Sequence, residues 1–145
     1  MVISICNQKP EFSPQFMRQR WFNADAGDGS ATFERLATQC SYGKWQFSPA
    51  DNIIVPVNVS IPCNSTTGPL GAWSASTCRD VDRLGWAAAA DDWVRKNTDI
   101  NPDDFVHRFL LLPTQTANCN PAIAALAMQV GLGAVEGDAG RLSVL

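Results

Sequence analysis

Apolar and polar positions change period several times along these 145 residues, and each change marks an element. From Asp80 to about Lys96, Val81, Leu84, Ala87, Ala88 and Val94 recur at helical spacing. The alanines favour a helix, and Arg95 and Lys96 sit at its C-terminal end, where cations suit the dipole. A shorter helix is predicted through Phe33, Leu36 and Ala37, capped by Ser30 or a neighbour, closing near Cys40 with Gly43 as the breaker. Ile53, Ile54, Val55, Val57, Val59 and Ile61 are β-branched and nearly continuous, which predicts a strand, with Pro56 marking an edge position or a bulge. Trp45 and Phe47 alternate with Lys44 and Gln46 before a turn at Pro49 and Asp51, so 44–61 reads as a hairpin. Phe105 to Leu112, stopped by Pro113, follows a helix and reads as a buried central strand. Beyond Cys119, Pro121 opens a predicted helix with Ile123, Leu126, Ala127 and Val130 on one face. Residues 1–20 show no clear period and read as a loose arm, and the pattern weakens again after Gly131. The sum is one α/β (α+β) domain.

Charge narrows the function classes. The formal net charge of −3 and eleven scattered Lys and Arg supply no field for a phosphate backbone or an anionic lipid surface, so neither nucleic acid nor membrane is an expected partner. The apolar runs at Ala87–Ala90 and Phe109–Leu112 fall far short of the roughly 20 residues a membrane-crossing helix needs. The first residues, MVISICNQKPEF, do not form a secretory signal, and the end RLSVL reads as cut off.

Five cysteines, Cys6, Cys40, Cys63, Cys78 and Cys119, lack CxxC spacing and paired histidines, which argues against structural zinc. Cys63 and Cys78 enclose a polar loop that also holds Trp73. A bridge between them would contribute about 3 kcal/mol on the chain-entropy model; two unpaired thiols are the alternative. Cys6, near a fraying end, is the expected leftover thiol. Asn58-Val59-Ser60 and Asn64-Ser65-Thr66 are candidate N-glycosylation sequons and lean the reading toward an oxidising compartment.

Candidate chemistry is sparse. The single histidine, His107, excludes an HExxH zinc site, which needs two histidines four apart on one helix face and a glutamate beside them. Asp80, Asp82, Asp91 and Asp92 on the predicted helix, and Asp103 and Asp104 after it, read as a solvated face or helix-end charges. Gly131 and Gly133 do not complete a dinucleotide fingerprint, because Glu136 stands where its third glycine belongs. A thiol nucleophile would require Cys119 to meet His107 in space. No catalytic and no metal-binding residue is therefore assigned from the residues themselves.

One ordered set of segments adds to this: Trp21-Phe22, CSYGK at Cys40–Lys44, IVPVNVSIPC at Ile54–Cys63, Cys78, the helix around Trp86, and HRFLLLP at His107–Pro113. In that order the chain resembles, over about residues 21 to 119, the N-terminal part of the catalytic domain of the gametolysin family, metzincin-like secreted zinc metallopeptidases that degrade algal cell-wall and extracellular-matrix glycoproteins. The resemblance implies an incomplete zincin-like upper subdomain, a twisted mixed sheet with backing helices. It divides the chain into an arm (1–20), a partial peptidase domain (21–130) and a Gly-rich tail (131–145). The family's zinc helix would follow downstream, but after Cys119 this chain reads NPAIAALAMQVGLGAVEGDAGRLSVL, so zinc belongs to the full-length family domain and no cofactor to this chain. The expectation is a fragment that is inactive alone, located outside the cell. Its partner would be a wall or matrix glycoprotein, and the uncovered sheet face invites self-association. A noncatalytic binding or decoy module is the alternative, and a thiol enzyme using Cys119 and His107 a third.

Overall fold

A computed structural model describes residues 1–26, 31–114, 116 and 125–129, the last five by backbone alone. The chain is mixed α+β and divides into two compact units, one formed by residues 1–11 with the described residues from Asn58 onward, the other by Phe12–Val57.

The first unit is built on strands β1 (Ile3–Ile5) and β2 (Val59–Ile61), which pair in parallel with Ile3 opposite Val59 and Ile5 opposite Ile61. A parallel bridge from Val2 to Leu111 joins β1 to a further strand, His107–Leu111, and that strand pairs antiparallel with Ala125–Gln129. The order across these strands is thus mixed, three parallel and one antiparallel. Val59 and Ile61 are buried and Ser60 is exposed, the period-two pattern of a strand with one covered face. Between β2 and the strand at His107 lie a small antiparallel pair, β3 (Asn64–Ser65) and β4 (Trp73–Ser74), and a long helix, Asp80–Asn97. That helix packs on β2 and β4. It buries Trp86, Ala87, Ala90 and Val94, and each large apolar side chain fully removed from water contributes about 1.5–3 kcal/mol.

The N-terminal residues correct the expectation of a loose arm over 1–20. Val2, Ile3 and Ile5 are almost wholly buried, because β1 fills the slot between two parallel neighbours. The strand turns sharply after Ile5, whose backbone exchanges hydrogen bonds with Gln8 while Cys6 and Asn7 adopt positive φ of 52° and 64°.

The second unit holds two eight-residue helices, α1 (Pro14–Trp21) and α2 (Phe33–Cys40). The Ser13 side chain accepts from the Phe16 N–H at 3.1 Å, and Pro14 occupies the first helical position, where its missing N–H costs nothing. Thr32 caps α2 by accepting from the Arg35 N–H at 3.2 Å, immediately before Phe33, the first residue of the predicted apolar face. At the far end, the Tyr42 N–H reaches the Gln39 carbonyl at 3.1 Å and the Gly43 N–H the Thr38 carbonyl at 2.8 Å, closing a Schellman motif. Tyr42, with φ of 54°, takes the left-handed position that glycine usually fills, and Gly43 follows it. Phe22, Ala37, Phe47 and Ile54 form the buried cluster, with Met17, Trp21 and Phe33 against it. The aromatic rings meet by stacking and by edge, as Phe33 does on Phe47 at 4.9 Å and 82°.

Two further expectations change. The hairpin over 44–61 does not form. Trp45 and Phe47 are irregular and belong to the aromatic cluster, while β2 takes β1 as its partner. Residues 125–129 are a strand rather than part of a helix. Alanine's helical preference is weak beside the ladder that the strand at His107 offers, from His107 opposite Gln129 to Leu111 opposite Ala125. The rest of that predicted helix and the 131–145 tail lie outside the described residues.

In chain order the helix Asp80–Asn97 is α3, and the strands His107–Leu111 and Ala125–Gln129 are β5 and β6.

Candidate functional site

Polar groups concentrate at three places in the first unit. The first is the start of α3, where Asp82 occupies the third helical position and is fully buried. Its two carboxylate oxygens accept from the Ser74 N–H (2.9 Å), the Thr77 hydroxyl (2.7 Å), the Arg79 N–H (2.9 Å) and the Arg79 guanidinium (3.0 and 3.1 Å). The bond back to the Arg79 N–H is one half of a capping box. Arg79 holds the Asp82 carboxyl well below its ordinary range; burial opposes this, and the Thr77, Ser74 and Arg79 N–H bonds reinforce it. Every lone pair direction is used, so the carboxylate ties β4 to α3 and presents nothing to a substrate.

The second place lies where β5 meets α3. Arg108, 7% exposed, donates to the Pro102 carbonyl at 3.3 Å and pairs with Asp91 at 3.0 Å and with Asp103 at 3.6 Å. Arg95 meets both oxygens of Asp103 at 2.7 and 2.8 Å. Burial pushes the Asp91 carboxyl up, with Arg108 pulling against it, and Asp91 Oδ1 has no hydrogen-bond partner among the described residues. The Met1 ammonium donates to the Phe109 carbonyl at 2.7 Å, and burial lowers its pKa to about 6 against the pull of Asp91. Arg108 alternates into the helix-facing side of β5 beside Leu110, and a cation there needs Asp91 beneath it. The cluster fastens β5 to α3.

Of the expected solvated face or helix-end charges on α3, Asp82 is a helix-end charge, though a buried one, and Asp91 is neither. Asp80 and Asp92 are solvated, as exposed partners of Arg83 and Lys96. The signal for Asp82 was in the sequence, a carboxylate three residues after the cap; for Asp91 only the folded position of Arg108 reveals the partner.

The third place is an open groove of about 490 Å³ lined by Ser4, Cys6, Asn7, Lys9, Ser60, Ile61, Pro62 and Cys63. Ser4 and Ser60 are register partners on the strand face turned away from Ile3, Ile5, Val59 and Ile61. Hydroxyls, one amide and one ammonium can hydrogen-bond a polar ligand there. The lining has no carboxylate and no imidazole.

A disulfide closes the end of this groove, and it corrects the expected Cys63–Cys78 bridge: Cys63 bonds Cys6, across 57 residues of sequence. The parallel register sets Ile5 beside Ile61, so the residues that follow each strand emerge together, whatever their separation along the chain. Cys78 is itself disulfide-bonded, and the free, exposed thiol is Cys40 instead of Cys6. Asn58 and Asn64 are both exposed. His107 is the exposed first residue of β5, while Cys119 lies outside the described residues. Among the described residues no group of three His, Cys, Asp or Glu side chains converges on a metal position, and no helix is long and apolar enough to cross a membrane.

No family model, no characterised protein and no solved structure matches this chain.

Proposed function

We propose that the chain is a scaffold piece of a gametolysin-type zinc metallopeptidase directed at cell-wall or extracellular-matrix glycoproteins, with an incomplete zincin-like upper subdomain, and that it is catalytically silent alone. One observation carries the reading. Three stretches behind the resemblance, the NVSIPC end of the IVPVNVSIPC run as β2 and Cys63, the helix around Trp86, and HRFLL as β5, fall consecutively on one layered unit of mixed strands and a backing helix. Trp21-Phe22, the CSYGK segment at the end of α2, and the IVPV start of that run lie in the other unit and add nothing to this support. With one histidine in 145 residues, hydrolysis by this chain has no metal grip to work from. The Cys6–Cys63 disulfide and the two exposed sequons support an extracellular location.

The groove beside that disulfide favours a second reading, a noncatalytic module that docks glycoprotein through Ser4, Asn7, Lys9 and Ser60. Incubating the purified chain with wall glycoprotein, with and without added zinc, tests both. The peptidase-scaffold reading expects no cleavage in either condition and no retention on immobilised glycoprotein. Retention that Ser60→Trp abolishes transfers the conclusion to the binding module. Chelator-sensitive cleavage overturns both.

A further inference from the structure

We propose that Asn58 carries an N-linked oligosaccharide that covers the edge of β2 left without a partner among the described residues and prevents two copies of the chain from pairing edge to edge. This rests on the reading that the chain passes through an oxidising secretory compartment. The Val59 N–H donates to the Val2 carbonyl at 2.8 Å, and the Ile61 carbonyl accepts from the Cys6 N–H at 3.4 Å. In a parallel ladder the residue between two such positions turns its own N–H and C=O the other way. Ser60 therefore aims one backbone donor and one acceptor away from β1, and Ser60 is exposed. An open strand edge of this kind is a template for another chain.

The same alternation makes the sequon usable. Within Asn58-Val59-Ser60 only the middle residue points into the core, with Val59 wholly buried, while the acceptor amide and the hydroxyl that a transferase recognises stay outside. In the transfer, Asn58 Nδ2 bonds the anomeric carbon of an oligosaccharide carried on a polyprenyl diphosphate. The anomeric carbon–oxygen bond to phosphate breaks, the lipid diphosphate leaves with the electron pair, and the amide nitrogen gives up one proton. A bulky, hydrated group two residues from the outward-facing backbone of Ser60 then blocks the approach of a second strand. Asn64 is also exposed, but it belongs to β3, which already pairs with β4 through Asn64 opposite Ser74. A glycan there guards no edge of β2.

The test fuses a cleavable secretory leader to the full chain in a eukaryotic host. Occupancy is read by mass before and after amidase release of N-glycans, and association by light scattering. Wild type is expected to carry a glycan at Asn58 and to scatter as a monomer. Asn58→Gln and Ser60→Ala each remove that glycan by different routes and are expected to associate at concentrations where wild type stays monomeric. Asn64→Gln is expected to stay monomeric. Adding Ser60→Pro to Asn58→Gln deletes the outward N–H and is expected to restore the monomer. An unmodified Asn58 in secreted, disulfide-bonded protein overturns the site, and monomeric Asn58→Gln and Ser60→Ala overturn its role. If the leader-directed chain is glycosylated while the chain in its own cells never reaches the lumen, the export reading fails and overturns the proposal with it, whereas an unmodified Asn58 in chain that does reach the lumen overturns the site alone.

Discussion

The two units use different means to hold a small amount of structure. The first unit relies on contacts distant in sequence: a parallel ladder between residues 3–5 and 59–61, a disulfide across 57 residues, and buried carboxylates on α3. The second relies on local devices, two capped helices and an aromatic cluster within Phe12–Val57. Exposure follows the same division. Of the large hydrophobic side chains left in solvent among the described residues, Phe12, Leu36, Tyr42, Trp45, Ile53 and Val57 belong to the second unit and only Leu70 and Val106 to the first. Local caps can start short helices, but they bury little area, and helices of eight residues need a packed face to persist. The sheet unit, by contrast, has few exposed apolar side chains and stakes its stability on groups that cannot be exchanged.

The comparison breaks most sharply at the disulfide. Replacing Cys6 and Cys63 together by serine removes a closure of 57 residues, and the chain-entropy model puts the loss at about 4 kcal/mol. Denaturant unfolding followed by Trp fluorescence should show this in the sheet unit, whereas Cys40→Ser should shift nothing.

Asp82→Asn comes next. It leaves the Ser74, Thr77 and Arg79 donors facing a neutral amide whose NH₂ cannot accept, at a cost of roughly 2–3 kcal/mol. It also carries a pH signature. Because the folded pKa lies below the ordinary 3.8, Asp82 contributes stability that is present above pH 3.8 and is lost as the pH falls toward the folded value. Melting temperatures of wild type and Asp82→Asn should therefore converge as the pH drops below 3.8, and a constant gap would show that the clamp is not ionic.

Gly85→Ala sets two effects against each other. Alanine gains about 1 kcal/mol of helix propensity over glycine, yet its Cβ would sit 2.2 Å from the ring of Trp73, which is 4% exposed and cannot swing aside. Overpacking of this kind costs about 1–3 kcal/mol, so net destabilisation is expected. A stabilised variant would mean that Trp73 does not lie on α3.

The smallest effect belongs to the second unit. Tyr42→Gly relieves a left-handed tyrosine that is 92% exposed, and should stabilise by up to about 1 kcal/mol. Hydrogen exchange at the end of α2 reads it directly.

Period and caps alone carried α3, the end of α2 and the strand at His107, while Leu36 of the predicted α2 face is exposed. The helix at Pro14 was also legible: Ser13-Pro14 is a cap followed by a first-turn proline, a signal stronger than the missing apolar period. Apart from α1, read as part of a loose arm, the assignments that failed were the ones that depended on a partner. Val2, Ile3 and Ile5 look like a frayed end until β2 and β5 flank them. Ala125–Gln129 looks helical until β5 supplies a ladder. Asp91 looks solvated until Arg108 folds over it. The candidate site divides in the same way, since the sequons can be read from the chain while the groove between Ser4 and Ser60 exists only in register.

What the sequence determined by itself is local: helix spans and their ends, the exclusion of a histidine-based metal grip, and the sequon positions. These depend on residues within one or two turns of each other, or on counting. Pairing was decided by the tertiary structure: which strand lies beside which, which cysteine meets which, and which carboxylate is buried. The energy of those choices comes from backbone ladders and charge pairs that form only when distant segments arrive together, and no single segment encodes its neighbour.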